Sequence, residues 1–406
     1  MKNFILSLAV LALPASSWAQ SWYSNNQSQK ATGMAGAGSA LFTDESAIFY
    51  NPGGLAKMDH NAVSVGGSAL MYLSSFKQLK SNNYHHSTFK ILPPFSAFAA
   101  FGPKDSWWKA GIGVYTPYGR ALNWGNQWVG RDQVDNLYMQ AIAIQPTLSF
   151  KLTDNFAVGG GFVYNVGLFD LSHSLPDANG KTMGQADLSG TGTGMGFNIG
   201  VHYHLEDEIA VSLSYRSKIT TKFRDADADF SVPNELAAAY PNTSFDMDIP
   251  LPSTFNIGLA FPVGERVDIA ADASIIGYSI YKEQVIDYQD NTSELVDSKT
   301  IKKYENALSG KVGVNYEVSD KLDLRAGVGY VYTPVKGPYV SPEDPDNANY
   351  MGSLGFTYRF HKHWDLTASY LFQKLGERSS QNINTGLAGT YKSVIHTPGL
   401  SLTYAW

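Results

Sequence analysis

The stretch Trp-Asp-Leu-Thr-Ala-Ser-Tyr-Leu-Phe at 364–372 sets Trp364, Leu366, Ala368, Tyr370 and Phe372 against Asp365, Thr367 and Ser369. A period of two places the first set on one face of an extended strand and the second on the other. The same alternation returns at 322–332, where Leu322, Leu324, Ala326, Val328, Tyr330 and Tyr332 alternate with Asp323, Arg325, Gly327 and Gly329. It returns again at the end, where Leu400, Leu402, Tyr404 and Trp406 alternate with Gly399, Ser401, Thr403 and Ala405. These runs reach about ten residues, enough for a tilted strand to cross a hydrocarbon layer. In water the apolar face would need a second layer of protein to cover it. Lipid can cover it instead, and closing the sheet on itself leaves no edge strand unpaired.

The connections point the same way. Short turns at 102–105, 153–155, 206–207, 262–265, 319–321 and 361–363 alternate with longer polar stretches near 119–135, 172–190, 226–249, 283–304, 335–347 and 377–392. Short turns on one rim and long loops on the other are the pattern of a bacterial outer-membrane β-barrel. Counting the runs predicts an all-β, antiparallel transmembrane barrel of about fourteen strands over 61–406, with both chain ends on the short-turn side. The aromatic Trp406, with Tyr404 and Leu402 at alternate positions, resembles the terminal signal read by the barrel-assembly machinery, which makes that machinery an expected partner.

Composition narrows the class further. Lys2, the apolar run Phe4 to Leu13 and the small-x-small triplet Ser17-Trp18-Ala19 predict a secretory signal peptide over 1–19, with the mature chain starting at Gln20. The chain has no cysteine, so neither disulfides nor thiolate chemistry enters. A formal charge of −6 argues against a nucleic-acid partner, which needs a concentrated positive field. Aromatic residues make up 13% and glycine numbers 38, a mixture that suits barrel strands with aromatic girdles.

Residues 20–60 do not alternate. Thr32-Gly33-Met34-Ala35-Gly36-Ala37-Gly38 is small-residue backbone, and Asp44-Glu45-Ser46 ahead of Ala47-Ile48-Phe49 predicts a short helix that Pro52 ends. The segment carries Trp22, Tyr23, Phe42, Phe49 and Tyr50, which are costly to leave in water. It is expected to fold into the lumen and plug it.

The run Gln27-Ser28-x-x-Ala31-x-Gly33-Met34-Ala35-Gly36-Ala37-Gly38-x-Ala40, then Asp44 and Asn51-Pro52-Gly53-Gly54-Leu55-Ala56, resembles the N-terminal hatch of FadL-type long-chain fatty-acid transporters. Further echoes follow in the family's order: 111–115 with Pro117-Tyr118-Gly119, then 215–218, 251–254, and 325–327 leading into 332–335. The resemblance spans essentially the whole mature chain. It implies a fourteen-stranded barrel with an N-terminal hatch, passive uptake of long-chain fatty acids or neutral hydrocarbons, and lateral exit through the wall at a kinked strand. Asn51, Pro52 and Gly53 match the gate motif. The family has alanine at the third position, and glycine keeps the small size while loosening the backbone. The kinked strand matches about 107–118, with Gly111, Gly113 and Pro117 as the residues that permit a bend.

An apolar capture groove is expected at Leu122, Trp124 and Trp128, although both Trp also suit an interfacial girdle. A fatty carboxylate wants a cation, and 155–180 contains neither Lys nor Arg. Arg120, Arg131, Arg216 and Lys218 are the candidates elsewhere, and a neutral substrate stays open beside them. Acidic loop residues at 225–229 and 343–346 are read as solvated, with lipopolysaccharide contact through divalent cations as the alternative. No cofactor or metal is expected: His202/His204 and His361/His363 could each share a face but sit near short turns. His85, His86, His173 and His396 lack any nucleophile signature, so an enzyme is not expected. The chain is read as a monomer of the outer membrane, with a receptor, adhesin or porin-like barrel as the rival function.

Overall fold

The computed structural model describes residues 22–406 apart from 80, 82, 178 and 206–208. The expected leader 1–19, the mature start Gln20 and the Glu206-Asp207 turn lie outside the described residues. Fourteen antiparallel strands follow in chain order: β1 (62–78), β2 (84–101), β3 (Trp108–Asn123), β4 (Asn136–Lys151), β5 (Phe156–Pro176), β6 (Thr182–Leu205), β7 (209–231), β8 (243–262), β9 (267–288), β10 (298–319), β11 (Leu322–Val331), β12 (Asn349–His361), β13 (Trp364–Gln381) and β14 (Ala388–Ala405). Each pairs with its sequence neighbours, and β14 returns to β1 with Ala62 opposite Ala405. Asn61 and Trp406 exchange backbone hydrogen bonds of 3.1 and 3.0 Å where the ends meet. The sheet is closed.

Its dressing is inverted relative to a water-soluble domain. Val65, Phe255, Ile257, Leu259, Leu354, Phe356 and Leu400 are exposed on the outer face, while Ser64, Gln145, Thr147, Ser149, Asn165, Ser212 and Thr367 are buried. Apolar side chains outside and polar ones inside make sense only when hydrocarbon surrounds the wall.

Two stretches read as loops are strand instead. β5 and β6 pair as far as Pro176 and Thr182, and β7 and β8 run to Ser231 and Thr243. Here the strands stand above the hydrocarbon, so their outward positions are polar: Arg224 on β7 pairs with Asp246 and Asp248 on β8 at 3.4 and 2.7 Å. Polarity on both faces hides a strand from a reading based on alternation. The breaks at 217–218, 252–253, 277–282 and 302–306 divide β7 to β10 into a regular lower part and an upper part.

Residues 22–58 lie inside the ring. Helices α1 (Gln29–Thr32) and α2 (Ala47–Tyr50) and the 3-10 turn Pro52–Lys57 are almost wholly buried. The predicted helix over Ala47-Ile48-Phe49 is present and stops before Pro52. Ser46 at its start donates from N and Oγ to Asp44 Oδ1 at 3.0 and 2.6 Å, and Lys30 pairs with Asp44 at 2.9 Å. The segment touches the wall all round. Gln29 bonds Ser68 of β1 and Ser369 of β13, and Ser39 bonds Ser212 of β7 and Asp272 of β9. Met34 sits over Gly327 of β11, where a Cβ would lie 2.2 Å from its carbonyl carbon.

Candidate functional site: a track through the barrel

Asn51-Pro52-Gly53 is seated on β4, β5 and β6. Asn51 Oδ1 accepts from Gly53 N at 3.2 Å, and its Nδ2 donates to Val201 O at 3.0 Å. Ser149 Oγ on β4 donates to Gly53 O at 3.2 Å and accepts from Ala56 N at 3.1 Å. The cross-strand pair Gly159 and Gly200 leaves the room: a Cβ would lie 2.3 Å from Pro52 O at the first and 2.0 Å from Asn51 Oδ1 at the second. Gly53 has its own reason for being glycine, because a Cβ there would lie 2.8 Å from Gly200 O. Capping and close seating hold this turn despite the freedom of its backbone.

The wall is broken between β2 and β3. The two strands pair from Phe101/Ala110 to Ser96/Tyr115, and no ladder pair joins them above that point among the described residues. β3 bulges between Tyr115 and Tyr118, and Pro117 at the bulge has no N–H to give. The groups left over turn inward to the N-terminal segment. Pro117 O accepts from Ser24 N at 2.8 Å and Trp22 O accepts from Gly119 N at 3.1 Å. Thr116 exchanges two bonds with the Gln27 side chain, at 2.9 and 3.1 Å. Residues 22–27 thus replace the missing wall strand from the inside.

Gly111 and Gly113 differ from expectation. Both lie in regular ladder with β2 and β4. Their bare faces admit Ile48 of α2, whose side chain would meet a Cβ at 2.6 and 3.0 Å respectively. They are seats for the segment, and the bend is at 115–118.

The other candidates separate. Trp124 and Trp128 are buried, stacked at 4.8 Å, with their indole N–H groups bound to Pro342 O and Val134 O. They brace a loop and form neither an exposed groove nor an outer girdle. Leu122 is buried with Tyr72, Leu375 and Ile395. Arg131 ties its loop to the β5–β6 turn through Gly180 O and Thr182 Oγ1. Lys218 is exposed at the break in β7. Arg216 is inside: it donates to Tyr115 OH at 2.6 Å and to Phe49 O at 3.0 Å, with its guanidinium 4.6 Å from the Phe49 ring. His202, near the end of β6, is fully buried beneath the segment.

Arg120 is buried against Asp344, whose carboxylate also accepts from Tyr304 OH at 2.6 Å and Trp22 Nε1 at 3.2 Å. One residue away, Glu343 pairs with buried Lys302 at 2.8 Å. Sequence reasoning missed Lys302, Tyr304 and Glu343–Asp344. Their acidic run reads as solvated loop, and only its inward fold brings it to Arg120.

Three spaces share these residues. An outer cleft of ≈ 360 Å³ among the long loops is lined by Leu171, Leu188, Phe230, Tyr240 and Tyr288, with Lys302 and Glu343 at its floor. Leu171, Lys302 and Glu343 also border an inner cavity of ≈ 40 Å³ with Leu137, Phe169, Tyr281 and Asp344. Trp22 and Arg120 separate that cavity from another of ≈ 40 Å³ that reaches Leu70 and Gly119, beside the break in the wall. The outer cleft is of ligand size. The inner ones hold a few waters each, so the track is continuous in its lining and closed at two constrictions.

A closed barrel with an apolar outer face, a filled polar interior and a loop-rich rim defines a protein of the bacterial outer membrane. Residues 10–406 match the family of outer membrane transport proteins described as OMPP1/FadL/TodX, and the chain belongs to it. A curated outer membrane protein of Neisseria meningitidis serogroup B is 24% identical, over 93% of this chain and 91% of its own length. The crystal structure of a Pseudomonas aeruginosa FadL homologue superposes with a TM-score of 0.81 at 21% identity, covering 96% of this chain and 99% of that one. The Pseudomonas putida toluene transporter TodX superposes at 0.69 with 14% identity, covering 92% and 97%. The fold is therefore shared across this family.

Proposed function

We propose that this chain carries hydrophobic compounds passively across the outer membrane, by capture in the outer cleft, passage along the track and sideways exit between β2 and β3. One observation carries the reading: the three spaces are lined in series and end beside the break in the wall. In this reading 1–19 is a removed signal peptide, 20–60 a movable hatch and 61–406 the barrel. Asn51, Pro52 and Gly53 seat the hatch. Residues 22–27 are the part that must leave 116–119 for the exit to open.

An acyl chain exposed in a water-filled pore costs about 0.8 kcal/mol per methylene. A track that ends in the bilayer avoids that cost and needs only a gradient. Arg120 and Lys302 beside apolar walls favour long-chain fatty acids, while the toluene transporter among the structural relatives keeps neutral hydrocarbons as the second arm of the test. The chain acts as a monomer, contacts lipopolysaccharide through the exposed acidic residues at 225–229 and is inserted by the barrel-assembly machinery through its C-terminal strand.

Uptake of labelled oleate and labelled toluene is measured in cells that lack their own transporter and express this chain. Oleate uptake supports the cationic track; toluene uptake alone supports a neutral one. Uptake of neither, with folded barrel in the membrane, refutes the transport reading and leaves a receptor or adhesin.

A further inference from the structure

Two of the cations lining the track, Lys302 and Arg120, are already matched by carboxylates, and both carboxylates come from consecutive residues of one loop. The loop joining β11 to β12 turns inward at 343–344. Glu343 reaches the Lys302 ammonium at 2.8 Å, and Asp344 takes Arg120, Tyr304 OH and Trp22 Nε1–H. Four donors from three separate parts of the chain converge there: the N-terminal segment, β3 and the 302–306 break in β10. Apolar walls stand directly beside them, among them Leu137, Phe169, Leu171 and Ile249. Charge-assisted donors closing one end of an apolar cavity are the recognition surface for a carboxylate on a hydrocarbon tail.

A purely structural role accounts for this poorly. Burying two acid–base pairs costs desolvation that their attraction roughly returns, so such pairs add little to stability. The loop is fastened by other means, with Asn382 Nδ2 donating to Val340 O at 2.8 Å, Asn347 Nδ2 to Glu377 O at 2.9 Å and Trp124 Nε1 to Pro342 O at 3.0 Å. The acidic side chains instead lie at the two places where the track narrows.

We infer that Glu343 and Asp344 are a resident pseudo-ligand: they occupy a carboxylate site that an incoming long-chain monocarboxylate takes over, first at Lys302 and then at Arg120. Exchange of one carboxylate for another conserves charge at each cation, so no step leaves a buried guanidinium or ammonium unpaired. The displaced loop opens the constriction it had filled. A neutral hydrocarbon cannot make this exchange, so the device selects carboxylated amphiphiles. The inference rests on the transport reading above and adds its substrate class and its regulation.

The test uses the purified full-length mature barrel in non-ionic detergent and equilibrium binding of tritiated oleate and tritiated oleyl alcohol. Asp344→Asn keeps the shape and removes the competing charge. Oleate affinity should rise roughly tenfold, the gain when a site nine-tenths self-occupied is freed, while oleyl alcohol affinity stays within about twofold of wild type. Glu343→Gln should shift oleate in the same direction, and the partial exposure of the Glu343 side chain, 30%, makes it the safer variant to fold; heat-modifiable gel mobility checks both. An equal rise for oleate and alcohol overturns the inference, because the loop is then only a steric plug. Unchanged oleate affinity in both folded variants also overturns it. Wild-type protein that binds neither probe and supports no uptake is instead the failure of the transport reading.

Discussion

The seat of Asn51-Pro52-Gly53 gives a perturbation whose effect can be sized. Gly159→Ala places a methyl 2.3 Å from Pro52 O, about 1 Å inside ordinary contact, and the atom it meets is backbone. Gly200→Ala places one 2.0 Å from Asn51 Oδ1. Neither glycine has positive φ, so alanine suits the strand and acts only by pushing the hatch. A retreat of about 1 Å breaks the Asn51–Val201 bond at 3.0 Å and the two Ser149 bonds at 3.1 and 3.2 Å. At about 1 kcal/mol for each hydrogen bond, the seated state loses roughly 3 kcal/mol. That corresponds to on the order of a hundredfold rise in the unseated population. Limited trypsinolysis reads this at Lys30 and Lys57, both inside the barrel's hatch, and labelled-substrate uptake reads it in cells. Faster cleavage and altered uptake are expected for both variants, with barrel mobility on gels unchanged. Gly352→Ala and Gly310→Ala are the controls, since nothing lies within 4 Å of a Cβ at either. Wild-type trypsin resistance and uptake in a folded Gly159→Ala barrel would refute the seating argument.

Arg216→Met removes the charged donor to Phe49 O and Tyr115 OH, so the hatch should loosen by about 2 kcal/mol, the worth of a charged hydrogen bond, seen as faster hydrogen exchange over 47–57; unchanged exchange there rejects Arg216 as an anchor. Leu92→Cys with Gly119→Cys, in a chain that has no other cysteine, spans the break in the wall. Joining them with a short bis-maleimide should stop uptake of hydrophobic compounds, and a bridged protein that transports normally disproves the lateral exit. Asp346 is buried in the loop after β11 and accepts from Thr333 Oγ1 at 2.5 Å. Burial first, and the neighbouring Asp344 next, push its carboxyl up to about 8 from the ordinary 3.8. The folded loop therefore holds the proton that the unfolded chain releases, so its contribution is complete below the ordinary value and is lost as pH rises through about 8. Hydrogen-exchange protection of 340–348, corrected for intrinsic rates, should fall between pH 6 and 9 in wild type and not in Asp346→Asn; a pH-independent wild type contradicts this.

The barrel was legible because a lipid-facing strand has the strongest period-two contrast a sequence can carry, as 364–372 shows. It was misread at 172–190 and 226–249, where β5 to β8 rise above the hydrocarbon and lose that contrast. Pro117 was legible as a break because it follows Gly111 and Gly113 in one strand; proline alone is no such sign, since Pro250 and Pro398 stay within paired ladder. Gly111 and Gly113 were not legible, because a glycine that bends a strand and a glycine that admits Ile48 look alike in sequence. Asn51-Pro52-Gly53 was found by its pattern, and its partners Gly159 and Gly200 could be named only once β5 and β6 were set beside it. The inward turn of Glu343 and Asp344 left no local signal, since a solvated acidic loop has the same composition.

The size of the inner cavities decides how such a barrel can be opened without an energy source. A ligand shifts a closed–open equilibrium only by the difference in its affinity for the two states. Spaces of ≈ 40 Å³ cannot accept an acyl chain, so beyond what the outer cleft of ≈ 360 Å³ covers, the closed form gains almost nothing from it. The burial energy of the methylenes that reach past the cleft therefore falls to the open form. Turning a ratio of about 1:99 into 99:1 takes roughly 5.5 kcal/mol, which about seven methylenes supply at ~0.8 kcal/mol each. A roomier lumen would bind the same molecule more readily and be opened by it less. In the proposed mechanism, tight packing of Trp22, Tyr281 and the 343–344 turn across the track would convert the hydrophobicity of the cargo into movement of the gate.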